Sequence, residues 1–199
     1  NYDSLEKEQK LKLLGEACSD AQWLNRMVEN LLSVTRFDGG QVAVQKTPTV
    51  LDELIDTVLV RFQKRYPKVP VTTYLPDSFI VIPMDSMLIS QVLTNLLENA
   101  AVHGVTTTRV AVSLEKRGKW ARFTVCDNGR GIPEGRLHNL FDGTQSAQKG
   151  DSTRSMGIGL SVCRTVVLAH GGTIRGENKK DGGACFTVTL PMKGDDDED

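Results

Sequence analysis

Apolar positions recur at steps of three and four from residue 4 to about 37. Leu11, Leu14, Ala17, Ala21, Leu24, Val28, Leu31 and Leu32 form one stripe, and no proline interrupts it. The pattern predicts a long amphipathic helix whose apolar face must bury itself against something, a second copy of itself included. Gly39-Gly40 is expected to stop this helix, because glycine accepts the left-handed angles of a helix end. Thr47-Pro48 then opens the next unit, which puts a domain boundary near residue 40.

Beyond that point helical and strand patterns alternate. Thr49 with Asp52 has the form of a capping box, and Leu51, Leu54, Ile55, Val58 and Leu59 carry a helix to about residue 65. Short strands are predicted at 69–75 and 79–82. Asp85 suits the N-cap of a second helix running to about 103. Alternation over 110–114 and 121–126 predicts paired strands, turned at Arg117-Gly118-Lys119. Residues 133–156 are polar, aperiodic and too long for an ordinary connector, so they read as a functional loop or lid. A third helix fits 157–169, closed by Gly171-Gly172, and two final strands fit 173–178 and 184–190. The sum is an α+β fold, a sheet with helices on one face.

With 199 residues, 39% of them hydrophobic and 25% charged, the chain has material for one good core. A net charge of −1 gives no basic field to attract nucleic acid or an anionic membrane surface. The acidic end, residues 194–199, reads as a solvated tail. No stretch approaches the roughly 18 to 20 apolar residues that cross a bilayer, and the first residues do not resemble a signal peptide. The missing initiator methionine suggests a piece of a longer protein, which would lie on the cytoplasmic side of any membrane parent. Cys18, Cys126, Cys163 and Cys185 form no CxxC pair and have apolar neighbours. They are expected to be reduced thiols serving as small core hydrophobes, rather than zinc ligands or disulfides.

Three segments carry candidate chemistry. On the helix 86–103, Asn95 and Asn99 stack one turn apart at the edge of an apolar face, where asparagine is a poor helix former. Their amide oxygens are hard donors suited to Mg²⁺ beside phosphates, or simply surface amides bonded to solvent. Directly after a strand comes Asp127-Asn128-Gly129-Arg130-Gly131-Ile132-Pro133. A carboxylate there could accept from an exocyclic amino group such as that of adenine; the alternative is a common glycine-rich turn. Ser155-Met156-Gly157-Ile158-Gly159-Leu160-Ser161 runs straight into a helix, whose free N-terminal amides suit phosphate oxygens. It is neither a P-loop nor a Rossmann fingerprint.

In order, these segments resemble the N, G1 and G2 boxes of sensor histidine kinases: Asn-Leu-Leu-Glu-Asn-Ala-Ala at 95–101, Asp-Asn-Gly-Arg-Gly-Ile at 127–132 and Gly-Ile-Gly-Leu-Ser at 157–161. Leu140-Phe141 falls where that family has its F box, and 182–191 looks like its closing strand. The resemblance spans roughly residues 10–191. Residues 24–42 together with 91–101 look most like the Kdp-type, potassium-responsive sensor kinases.

The resemblance implies a two-layer α/β sandwich of the Bergerat ATP-binding type. It also implies three units: residues 1–40, the second helix of a dimerisation hairpin; 41–193, the ATP-binding catalytic domain; and 194–199, the tail. Asn99 would hold Mg²⁺, and Asn95 would support the phosphates or the metal's water shell. Asp127 would read adenine, in a pocket shaped by Gly129, Gly131 and Ile132. Gly157, Gly159 and Leu160 would present backbone to the phosphates, and Thr187 would reach the base end. Lys149 and Arg154 are either cations near the γ-phosphate or plain solvated charges.

Two departures bear on affinity. Val102 and His103 stand where the family has a Lys or Arg followed by an aromatic, so His103 would stack or hydrogen-bond at the pocket edge, and Ser155 replaces the first glycine often seen in the G2 box, a milder change. The phosphoacceptor histidine belongs to the first helix of the hairpin. None of His103, His138 and His170 has the acidic neighbour it requires, so this piece alone should bind ATP and transfer phosphate little in cis. His138 and His170 read as solvated or helix-capping.

The implied reaction is γ-phosphoryl transfer from Mg-ATP to a histidine, then to an aspartate of a response-regulator receiver domain. The parent would be a homodimer in the inner membrane. Two rivals remain. One is a hydrolytic ATPase of the gyrase B, heat-shock-90 and mismatch-repair group, which places a general-base glutamate where Asn95 stands; Glu98 has the wrong phase. The other is a nucleotide-binding or dimerisation module without kinase activity.

Overall fold

A computed structural model describes residues 9–11, 13–15, 37–38, 41–42, 44–104, 106–142 and 158–192. Residues 9–11 and 13–15 are helical, within the stripe expected to form the leading helix; the rest of that helix and Gly39-Gly40 lie outside the described residues. A small hairpin, β1 (Phe37–Asp38) with β2 (Gln41–Val42), straddles the expected boundary.

The main sheet has five strands in the order β4 (Val71–Tyr74), β6 (Val110–Arg117), β7 (Trp120–Asp127), β9 (Ala184–Pro191), β8 (Thr173–Asn178). Only the β4–β6 pair is parallel. A second, two-stranded sheet pairs β3 (Thr47–Val50) with β5 (Val81–Met84). Three helices cover one face of the main sheet: α1 (Leu51–Arg65), α2 (Ser86–His103) and α4 (Ile158–Ala169). Between them α3 (Glu134–Leu137) is a single turn inside the polar segment expected to be a lid. This is the two-layer sandwich that the boxes imply.

Strand alternation explains why only one face is covered. In β7 the residues Ala121, Phe123 and Val125 are buried with Val110, Val112 and Leu114 of β6 and Phe186, Val188 and Leu190 of β9. Their neighbours Arg122, Thr124, Thr187 and Thr189 point to the other side and stay exposed or half-buried. Each large aliphatic taken fully from water contributes about 1.5–3 kcal/mol. The helices bury matching stripes, Leu88, Val92, Leu96 and Ala100 on α2 among them. No helix of the described residues is long and apolar enough to cross a membrane.

Local chemistry sets the helix ends, with one surprise. Asp85 caps α2 as expected, its Oδ1 accepting from the Leu88 amide at 3.1 Å. The capping box at α1 does not form. Thr49 is held in β3 opposite Ile82 and gives its hydroxyl to the Thr47 carbonyl, so α1 starts after Val50 with no side-chain cap. Asp52 Oδ1 is left buried without a partner, and burial, then Asp56 and Glu53, push its pKa up.

Two further expectations change. His170 is not solvated: it is 2% exposed just beyond α4. Its Nε2 accepts from the Asp85 amide at 3.0 Å and its Nδ1 lies 2.7 Å from the Val166 carbonyl, which requires a neutral ring with the proton on Nδ1. His138 is exposed, as expected. Of the cysteines, Cys18 lies outside the described residues, and Cys163 is a free buried thiol, pushed by burial up to about 12. Cys126 and Cys185, however, face each other across the β7–β9 ladder and are joined as a disulfide. Pairing depends on a strand register linking residues 59 apart, which local spacing does not reveal.

Burial lowers the pKa of His170 below its usual 6.5, against the opposing pull of the Val166 carbonyl and the Asp85 carboxylate, with Lys46 acting in the same sense as burial. As pH drops through 6.5 the unfolded chain takes up a proton that the folded ring refuses until its own lower pKa. Stability from this group is therefore complete above 6.5 and lost as pH falls toward the folded value. Melting temperatures of wild type and His170→Gln across that window should diverge, with the slope below 6.5 shallower in the variant; parallel curves would remove this role.

Candidate functional site

The two helices flanking the site run antiparallel, and three contacts fix their offset. The Asp85 amide meets His170, the Val92 carbonyl lies 3.9 Å from Cys163 Sγ, and Asn95 Nδ2 reaches the same sulfur at 3.7 Å. Numbers rise along α2 as they fall along α4. Continuing one turn brings Asn99 level with Gly159, in the first turn of α4, where helix amides lack intrahelical partners. Asn95 and Asn99 are both half-buried, and the Asn99 side chain has no hydrogen-bond partner among the described residues. Gly159 and Leu160 are half-buried beside this edge.

The same helix shows what its glutamate does. Glu98 is 7% exposed and its Oε1 lies 2.6 Å from Arg65 Nη1 at the end of α1. It braces α1 against α2 rather than facing the asparagine edge.

The floor is Asp127, 5% exposed at the C-terminal end of β7, the central strand. Its Oδ1 accepts from Gly129 N at 2.7 Å and Ala184 N at 3.3 Å. Its Oδ2 makes no hydrogen bond among the described residues. One carboxylate oxygen thus orients the side chain and the other remains to accept a donor such as an exocyclic amino group.

The loop after Asp127 is held by its neighbours. Asn128 Oδ1 accepts from the amides of Thr108 and Arg109 at 3.0 and 3.1 Å, and its Nδ2 donates to Thr108 Oγ1. The Arg130 amide donates to the Gly104 carbonyl at 3.0 Å, joining the loop to the end of α2. A β-carbon on Gly129 would come 2.5 Å from that carbonyl oxygen, so the glycine is required by protein backbone rather than by a ligand ring. Asn178 grips Ile132 from both sides: the Ile132 amide donates to its Oδ1 at 2.6 Å, and its Nδ2 donates to the Ile132 carbonyl at 2.7 Å. Gly131 bends the loop with φ +77.

Several expected residues fall elsewhere. Strand parity puts Thr187 on the outer face, opposite Thr124, and puts Ala184 beside Asp127 instead. Thr187 is therefore not brought to the base end. Lys149, Arg154 and Gly157 lie outside the described residues, as does the His103 side chain. Val102 is 40% exposed. Leu140 and Phe141 pack on the core, and Leu140 covers Gly176 of β8, where a β-carbon would meet Leu140 Cδ2 at 2.5 Å. Sequence reasoning missed Gly183, Ala184 and Asn178. The glycine pair 182–183 was visible as part of a closing strand, but nothing in the sequence signals the Asn178 clamp.

The donor set fits a magnesium ion in part. No group of three or more His, Cys, Asp or Glu side chains among the described residues could hold a metal. The side-chain amide of Asn99, unpartnered among the described residues, offers the kind of single protein oxygen that Mg²⁺ uses beside phosphates and water.

The sequence profile described as "Histidine kinase-, DNA gyrase B-, and HSP90-like ATPase" matches residues 84–194. The sensor protein KdpD of Clostridium acetobutylicum is 34% identical over 195 residues, covering 97% of this chain and 22% of that protein. The adaptive-response sensory kinase SasA of a Synechocystis species is 30% identical over 184 residues, 91% of this chain and 48% of that one. Among solved structures, the catalytic domain of histidine kinase ThkA superposes with a TM-score of 0.64 at 26% identity, covering 74% of this chain and 96% of that chain. The chain thus spans between a fifth and a half of the length of these two curated relatives.

Backbone crowding under Asp127 can be tested by two glycines with positive φ. Gly183, at φ +86, has the Asp127 carbonyl where a β-carbon would go; Gly118, at φ +59, has open space. Urea unfolding should show Gly118→Ala costing about 1 kcal/mol for its backbone alone, and Gly183→Ala costing at least about 2 kcal/mol more through the clash. Equal losses would mean that the approach of the two backbones is not tight. Asn178→Ala should cost about 1–3 kcal/mol by leaving the Ile132 groups unpaired.

Proposed function

This chain belongs to the histidine kinase-, DNA gyrase B- and HSP90-like ATPase family as a sensor histidine kinase catalytic domain, and we propose how its residues take up ATP and serve phosphoryl transfer. The observation that carries the reading is the Asp127 carboxylate, buried at the end of the central strand with one oxygen tied to backbone amides and the other unengaged among the described residues. Adenine would lie against Gly129, Gly131 and Ile132, with its exocyclic amino group donating to Asp127 Oδ2. The phosphates would run toward Asn95, Asn99 and the amides at Gly157, Gly159 and Leu160. Lys149 and Arg154 would supply cations near the γ-phosphate, where Val102 provides none.

Asn99, helped by Asn95, would hold Mg²⁺, which when bound neutralises phosphate charge. The protein's own work is positioning: the α2 edge and the first turn of α4 hold the triphosphate while the Asp127 end holds the base. In the whole kinase the bond from the γ-phosphorus to the β–γ bridging oxygen would break as a histidine nitrogen on a hairpin helix bonds to that phosphorus. ADP leaves, and the phosphoryl group passes on to a receiver-domain aspartate. Residues 1–40 would be the second helix of that hairpin, 41–193 the catalytic domain and 194–199 a solvated tail. The parent would be a homodimeric inner-membrane sensor with this domain in the cytoplasm. ThkA has been crystallised with the response regulator TrrA, which supports a receiver-domain partner here.

A hydrolytic ATPase is disfavoured. Asn95 cannot take a proton from water, and Glu98 is committed to Arg65. Titration with a non-hydrolysable ATP analogue should show Mg²⁺-dependent binding. Asp127→Asn turns an acceptor toward a donor and should weaken it by about tenfold or more, while Asn99→Ala should remove the Mg²⁺ dependence. No binding at millimolar analogue would sink the adenine pocket. Labelling of a separately supplied hairpin by labelled ATP separates an active kinase from a module that only binds.

A further inference from the structure

Cys126 and Cys185 stand opposite each other in the β7–β9 ladder, their Cα atoms 4.1 Å apart, bonded through their sulfurs. Both are half-buried on the sheet face that the helices leave uncovered. Each is the chain neighbour of a pocket residue. Cys126 precedes Asp127, Cys185 follows Ala184, and the Ala184 amide donates to Asp127 Oδ1 at 3.3 Å. A hydrogen bond that long is made or lost by a small change in strand separation. Cys163 does not compete: buried, with its thiol pushed up to about 12, it presents no thiolate near neutral pH.

We propose that Cys126 and Cys185 are a reversible thiol–disulfide exchange site on the outer sheet face, and that closing the disulfide tightens the nucleotide pocket on the inner face. In the cytoplasm, where the proposed function puts this domain, dithiol carriers keep thiols reduced and disulfides are transient. To close the pair, the thiolate of one cysteine attacks a sulfur of an oxidised dithiol carrier and forms a mixed disulfide. The second cysteine's thiolate then displaces the carrier sulfur. One carrier S–S bond is lost and one protein S–S bond gained; two electrons and two protons pass to the carrier, which leaves as a dithiol. A reduced carrier reverses both steps. The closed bond holds the ends of β7 and β9 together and keeps the Ala184 amide on Asp127, so less freedom remains to be lost when a base docks. The coupling rests on the adenine reading above; the exchange chemistry does not.

The test treats the chain with oxidised or reduced dithiothreitol, removes the reagent and alkylates free thiols for mapping by mass spectrometry. The same samples are titrated with a non-hydrolysable ATP analogue. Cys126 and Cys185 should be alkylated only after reduction, and Cys163 in neither native sample. The oxidised form should bind about fivefold tighter or more, and Cys126→Ser/Cys185→Ser should bind like the reduced wild type after either treatment. Alkylation of Cys126 and Cys185 after oxidation would overturn the exchange site. Equal affinities, or a difference that persists in the double variant, would overturn the coupling. If neither form binds nucleotide, the adenine reading fails and takes the coupling with it, while the alkylation pattern still decides the exchange site.

Discussion

The His170 imidazole joins the end of α4 to the start of α2, and the lie of the two helices follows from it. A neutral ring offers one donor and one acceptor, and both are used: Nδ1–H toward Val166 and Nε2 toward the Asp85 amide. Asp85 is at the same time the N-cap of α2. One buried group therefore sets where α2 begins and how far α4 has run at that point. The offset then carries upward through Cys163 to the level of Asn99 and Gly159. The asparagine edge and the first turn of α4 meet because the far ends of the helices are pinned.

A second constraint acts at the opposite end, where backbone meets backbone. Gly129 lies against Gly104, and Gly183 against the Asp127 carbonyl. Neither contact leaves space for a side chain. The loop after Asp127 is held by protein on three sides: by the end of α2, by Asn178 on β8 and by the turn that precedes β9. Asp127 gives one oxygen to this internal structure, and its other oxygen makes no hydrogen bond among the described residues.

Much of this was readable along the chain. The limits of α1 and α2, the strands from 110 onward and the third helix follow from periodicity, because each element buries one stripe against one core. The three boxes were legible because their residues are consecutive. What failed depended on partners distant in sequence. Thr49 looks like a cap until its pairing with Ile82 is known, and Thr187 looks like a pocket residue until strand parity assigns it to the outer face. The Cys126–Cys185 bond and the burial of His170 each require a register or a helix offset that no local window contains. Asn178 gives no signal at all: a lone asparagine at a strand end is ordinary, and only its geometry makes it a clamp.

β7 is the third of five strands, with β6 and β4 on one side and β9 and β8 on the other. Amides in such a strand exchange with solvent only when the whole sheet opens, whereas edges and turns open alone. The residue that would read the base is therefore rooted in the part of the molecule that is last to open. A bound nucleotide would report on, and slow, the global opening of the domain rather than the fraying of a loop. Protection measured by hydrogen exchange at Val125 or Phe123 would rise with occupancy of a pocket that neither residue enters.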